Sequence, residues 1–245
     1  MALNNYFDNS ELAERVFIAN GQVVNTSFNH KFGAVPALSQ NTTGSIWDKD
    51  DTLYPWFAFD TAGTLTISTT TSNGSVSTLD TGKSVTIQGL DQDYNPVEET
   101  INISGSTGTG TTVFKRVYRA FTSSANLTQV RVSRGGTEVL RIQISKSQTL
   151  MAIYTVPKGY TAFLTKGVCT AQAGADGTGQ MFVRYGGTGA FRIGHQFEVT
   201  GGGQYQYEFT IPIKLPEKTD IDVRMSTRSN NGSYTAAFDL ILLKK

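Results

Sequence analysis

Apolar and polar positions alternate with a period of two along most of the chain. Val85, Ile87 and Leu90, then Ile101 and Ile103, Val130 and Val132, and Leu140, Ile142 and Ile144 mark strands with one buried face. The spacers between them, TSNGS, DQDYNP, GSTGTGT and RGGT, place Gly or Asn where a turn needs positive φ. RVSRGGTEVLRIQI reads as a hairpin closed by Gly135-Gly136. The spacing over 57–146 suits an immunoglobulin-like sandwich. Over 147–245 the strand text continues through IYTV, YTAFLT, QMFVRYGG, FRIGHQFEV, QYQYEFTIPIKL, DIDVRMST and AAFDLILL, which suits a second sandwich, jelly-roll or immunoglobulin-like. No Pro/Ser linker separates these two halves, so they are expected to share an interface.

Residues 1–56 break the pattern. SELAERVFIANG predicts one short helix with Ser10 as N-cap and Gly21 as its stop. Beyond it the large apolar residues Phe28, Phe32, Ile46, Trp47, Tyr54 and Trp56 stand apart as anchors among polar spacers. A disordered tail would not carry two Trp and several Phe. The segment therefore reads as an extended arm lying on its own body or on a neighbouring subunit, with Phe28, Phe32, Trp47, Tyr54 and Trp56 as its contacts. The expected architecture is all-β, with two tandem β-sandwich domains behind an N-terminal arm.

Composition narrows the function. Only 17% of the 245 residues are charged and the net charge is +1, so no whole-protein field exists to attract nucleic acid. No apolar run approaches a membrane span and no leader pattern opens the chain, which predicts a protein made in a cytoplasm with no membrane partner. The single cysteine, Cys169, sits in apolar text and reads as a buried structural thiol.

Catalytic chemistry is thin. His30 and His195 have no patterned partners, and no G-x-S-x-G elbow occurs. Asp48, Asp50 and Asp51 form the densest acidic run, without the spacing of a calcium loop, and suit capping a strand or pairing with a Lys or Arg of a neighbouring subunit. Asp91, Asp93 and Asn95 suit an Asx turn. Glu98 and Glu99 are adjacent and face opposite ways, while Asp220 and Asp222 lie closer together than glycosidase partners usually do. No catalytic residue, metal ligand or cofactor is expected. Tyr205, Tyr207 and Phe209 line one face of a strand, as a core, a subunit interface or a sugar-binding platform would require.

Several pieces of the chain resemble a family of tailed-bacteriophage virion structural proteins from marine and environmental phages. They are NHKFGAVP (29–36), SIWDKDDTLYPW (45–56), the block at 85–121, LMAIYTVPKGYTAFLT (150–165) and PEKTDIDVRMS (216–226). The resemblance implies a particle component present in many copies, assembled in the host cytoplasm. Its partners would be copies of itself and other virion proteins, the major capsid protein foremost. A head decoration or cement protein is the leading expectation. A tail, collar or fibre-base part at the portal vertex, or an adhesin using Tyr205 and Tyr207, are the alternatives.

Overall fold

In the computed structural model, residues 16–228 and 230–245 are described. Residues 16–19 are helical and end where Gly21, at φ 68°, lets Gln22 N–H reach back to Phe17 O. The expected helix start at Ser10 lies outside the described residues. The strands are β1 (Thr26–Leu38), β2 (Thr43–Ser45), β3 (Thr66–Thr70), β4 (Ser84–Leu90), β5 (Pro96–Asn102), β6 (Thr107–Thr109), β7 (Arg116–Thr122), β8 (Gln129–Arg134), β9 (Thr137–Ile142), β10 (Ile153–Thr155), β11 (Tyr160–Ala171), β12 (Gly177–Arg184), β13 (Arg192–Val199), β14 (Gln204–Leu215), β15 (Asp220–Thr227) and β16 (Gly232–Lys244).

One sheet runs β1-β16-β11-β14, and a second runs β10-β15-β12-β13 with β2 added on β15. Side chains from both, including Val35, Leu164, Phe238 and Leu240 from the first and Val183, Ile221 and Val223 from the second, pack into one buried cluster. Two antiparallel sheets visited in this order follow the path of an eight-stranded jelly roll. The remaining strands form sheets β6-β3-β8-β9 and β5-β4-β7, which enclose a separate cluster containing Ile67, Ile87, Val117, Val132 and Leu140. Gly135 and Gly136, at φ 53° and 81°, close the β8–β9 hairpin as a primed turn needs.

The tandem arrangement and the arm before residue 56 do not describe this pairing. β1 and β2 belong to the sheets of the C-terminal strands, and β3–β9 form an insertion between β2 and β10. β1 pairs with β16 from Thr26↔Leu243 to Leu38↔Gly232. Its polarity is the reverse of the usual pattern, which is why it reads as irregular. Lys31, Gly33 and Val35 point inward, whereas Phe28 and Phe32 point out.

The two cores are joined without a linker. Met151 and Ile153 enter the insert's cluster while Ala152 and Tyr154 enter the jelly-roll cluster, so alternate residues of one extended segment serve both. β1 crosses that segment at Gly33. A Cβ there would lie 2.3 Å from Ala152 N and 2.7 Å from the Met151 carbonyl carbon, and backbone cannot yield as a side chain can. Gly33→Ala is expected to lower stability by about 1–3 kcal/mol, the range for overpacking, as read from urea midpoints. An unchanged midpoint would show that β1 and the 150–152 segment can slide apart freely.

Candidate functional site

The densest polar constellation lies where the insert meets the jelly roll. Arg116, at the start of β7, donates from Nε to Asp220 Oδ1 at 2.9 Å and from Nη2 to Oδ2 at 3.1 Å. Arg184 Nε reaches the same carboxylate at 2.8 Å, and Thr155 Oγ1 adds a bond of 2.6 Å. Arg116 also donates to the carbonyls of Phe59 (3.2 Å) and Gly187 (3.0 Å), so it ties insert to jelly roll. Next along β15, Asp222 Oδ2 accepts from Trp56 Nε1 at 3.0 Å and from Arg224 Nε at 2.8 Å. The Arg184 guanidinium stacks 4.5 Å from the Phe191 ring.

Asp220 and Asp222 are fully buried. Burial pushes the Asp222 carboxyl above its ordinary range, with Arg224 opposing. These carboxylates face arginines, an indole N–H and a threonine, not a substrate-sized opening. Through Arg116 and Trp56 they tie β15 to the insert.

The five residues expected to contact a neighbour separate into two groups. Trp47, Tyr54 and Trp56 are buried in the insert's core, joined edge to face with ring centroids 5.2 Å and 4.9 Å apart. Phe28 and Phe32 are 49% and 39% exposed on the outer face of β1. His30 stands between them, 5.6 Å from the Phe32 ring, with Nδ1 2.5 Å from Asp239 Oδ1. β1 is also a sheet edge. Among the described residues its outer side is met at Ala34, whose N–H donates to Leu150 O at 3.3 Å.

Beside that edge a cleft of about 600 Å³ opens between β1 and the β5-β4-β7 sheet. Asn29, Lys31, Glu98, Tyr118 and Arg119 help to line it. Lys31 is 7% exposed, and its Nζ donates to Tyr118 O at 2.5 Å. Burial, with Arg119 adding repulsion, lowers the ammonium pKa to about 7.

The aromatic stripe of β14 is turned largely inward. Tyr205 stacks on Phe197 at 4.6 Å and its hydroxyl lies 2.7 Å from His195 Nε2. Phe209 is half-buried beside them, while Tyr207 keeps 45% exposure. The stripe fills the gap between β13 and β14, edge strands of opposite sheets.

The acidic runs are stitched to the backbone. Asp50 Oδ1 accepts Ala37 N–H at 2.7 Å, Asp51 Oδ1 accepts Ser39 N–H at 2.5 Å, and Asp91 Oδ1 closes an Asx turn onto Asp93 and Asn95. Glu99 Oε1 takes the N–H groups of Thr111 and Thr112, and Glu98 accepts from Gln88 Nε2. Burial pushes the Cys169 thiol up to about 12. Among the described residues no three His, Cys, Asp or Glu converge as metal ligands would, and no helix is long and apolar enough to cross a membrane. Sequence reasoning passed over Lys31 and Arg116. For Arg116 the local signal is a cation inside the strand text KRVYRAF, whereas Lys31 stands among the polar spacers of the 1–56 segment.

No family model and no curated protein matches the chain. Solved structures that match include that of the infectious bursal disease virus Gx strain, at 10% identity over 89% of this chain and 72% of that one, with a TM-score of 0.26. The Gt strain of the same virus matches at 13% identity, 88% and 70% coverage, and a TM-score of 0.25. Its VP2 subviral particle matches at 8% identity, 89% and 72% coverage, and a TM-score of 0.23. At these scores the likeness decides neither fold nor function for this chain.

Proposed function

We propose that the chain is a non-enzymatic virion structural protein, a capsid decoration or cement protein that holds neighbouring subunits through β1. The observation that carries this reading is the strip of Phe28, His30 and Phe32 on a strand at the edge of a sheet. An unpaired edge bearing exposed aromatics is a liability unless something covers it. The expected partners are copies of the chain and the major capsid protein, in the virion. The sequence resemblance supports the same view, since its NHKFGAVP piece lies on β1. Trp47, Tyr54 and Trp56 act in this scheme as the anchor that fixes the segment to the body.

The alternative of a tail, collar or fibre-base part uses the same edge at a vertex, and copy number per particle separates the two. An adhesin reading is weaker. Tyr205 and Phe209 spend their faces inside the sandwich, which leaves Tyr207 as the exposed member of that stripe.

A Phe28→Ser/Phe32→Ser double variant tests the proposal. Phe28 and Phe32 are 49% and 39% exposed, so losing the rest of their burial is expected to cost roughly 1–3 kcal/mol, and the variant is compared where it stays folded. Addition of the purified variant to particles lacking the protein should be lost, where the parent adds at many copies and raises heat resistance. Equal addition of variant and parent would sink the proposal.

A further inference from the structure

Among the described residues Lys31 is an ammonium without an anion. Its Nζ has one acceptor, Tyr118 O, and lies 5.7 Å from the Tyr118 ring centroid. Arg119 adds like-charge repulsion to the effect of burial. A lysine has three donors, and a buried ammonium is costly unless paired. Lys31 is nonetheless part of the wall of an open cleft, so a ligand can reach its neighbourhood.

The other wall component is main chain. Among the described residues no strand pairs with β1 on its far side, where Ala34 N–H meets Leu150 O. A free strand edge recognises peptide backbone, giving affinity through main-chain bonds and selectivity through pockets for alternate side chains. Glu98 on the opposite wall and a net charge of +1 disfavour a polyanion.

We propose that the cleft between β1 and the β5-β4-β7 sheet binds an extended peptide that lies along the edge of β1 and gives one aspartate or glutamate carboxylate to Lys31. The peptide adds as a strand, its acidic side chain turning inward between Lys31 and Arg119. This goes beyond a structural role in the virion and is measurable on the isolated chain, so it stands or falls separately from that reading.

The probe is a short, blocked, fluorescent peptide of alternating threonine and valine with one central glutamate, read by anisotropy against its glutamine twin. The glutamate peptide is expected to bind at least about thirtyfold more tightly, the scale for leaving a buried charge unpaired. The groups facing the carboxylate are Lys31, Arg119, His30 with its partner Asp239, Glu98 and Tyr118. With Lys31 titrating near 7, affinity should fall about tenfold from pH 6 to pH 8. Lys31→Met should abolish both the preference and the pH dependence, while His30→Gln should keep them. Equal binding of the two peptides would overturn the proposal, as would a preference that survives in Lys31→Met. Sodium acetate displacing nothing supports it. Acetate binding as tightly as the peptide would make the cleft a simple anion pocket and overturn it too.

Discussion

Replacing Asp220 with asparagine is expected to lower stability by about 3–5 kcal/mol, the cost of breaking a buried ion pair by removing one partner. The substitution keeps shape and leaves Arg116 and Arg184, whose side chains are 3% and 11% exposed, facing a neutral amide. Asparagine would also turn an N–H₂ toward one of the guanidinium groups that now meet oxygen. Because Arg116 comes from the insert and Asp220 from β15, the loss falls on the joint between the two sandwiches. Urea unfolding followed by Trp fluorescence should report it clearly, since both Trp47 and Trp56 lie in the insert's core and Trp56 is bonded to Asp222. Circular dichroism, which averages over both units, should then unfold in a broader transition. A loss under about 1 kcal/mol would mean that the junction is wet and that the Asp220 pairs with Arg116 and Arg184 are worth little.

The same joint explains what could be read from the sequence. β4, β8 and β9 show period-two alternation because each lies on a sheet with one face on the insert's core, and the Gly135-Gly136 turn is local chemistry. β1 hides because its buried face carries Lys31 and Gly33, one tied to a carbonyl 87 residues away and the other pressed on backbone. Its partner β16 is the last strand of the chain, so no local window contains the pair. Trp47, Tyr54 and Trp56 read as isolated anchors among polar spacers, and they lie buried in the insert's core. Whether they anchor to self or neighbour depends on bonds such as Trp56 to Asp222, 166 positions apart. Asp91 reads as part of an Asx turn and Cys169 as a buried thiol, and each occupies that place in the fold because the signal is local.

Asp48→Asn should stabilise the protein at pH 8 and change little at pH 4. The Asp48 carboxyl is 2% exposed, and burial pushes its pKa up to about 8 against a usual value of 3.8. Asp50 adds to the rise, while Leu150 N–H, Arg141 and Lys146 oppose it. The folded state therefore binds a proton that the unfolded chain releases. The stability this group contributes is full below about pH 4 and is lost as pH rises to about 8. At about 1.4 kcal/mol per pH unit, the loss across that window is on the order of several kcal/mol. Asparagine keeps an oxygen to accept Leu150 N–H and has no charge to desolvate. Lys31 acts in the opposite sense, since a lysine lowered to about 7 gains stability as pH rises above that value. Its effect sets in where that of Asp48 is ending. Urea midpoints for parent and Asp48→Asn at pH 5, 6, 7 and 8 should therefore diverge steadily, the parent falling and the variant staying nearly flat. Parallel pH profiles for the two proteins would show that the Asp48 site admits water and that its carboxylate ionises normally in the folded state.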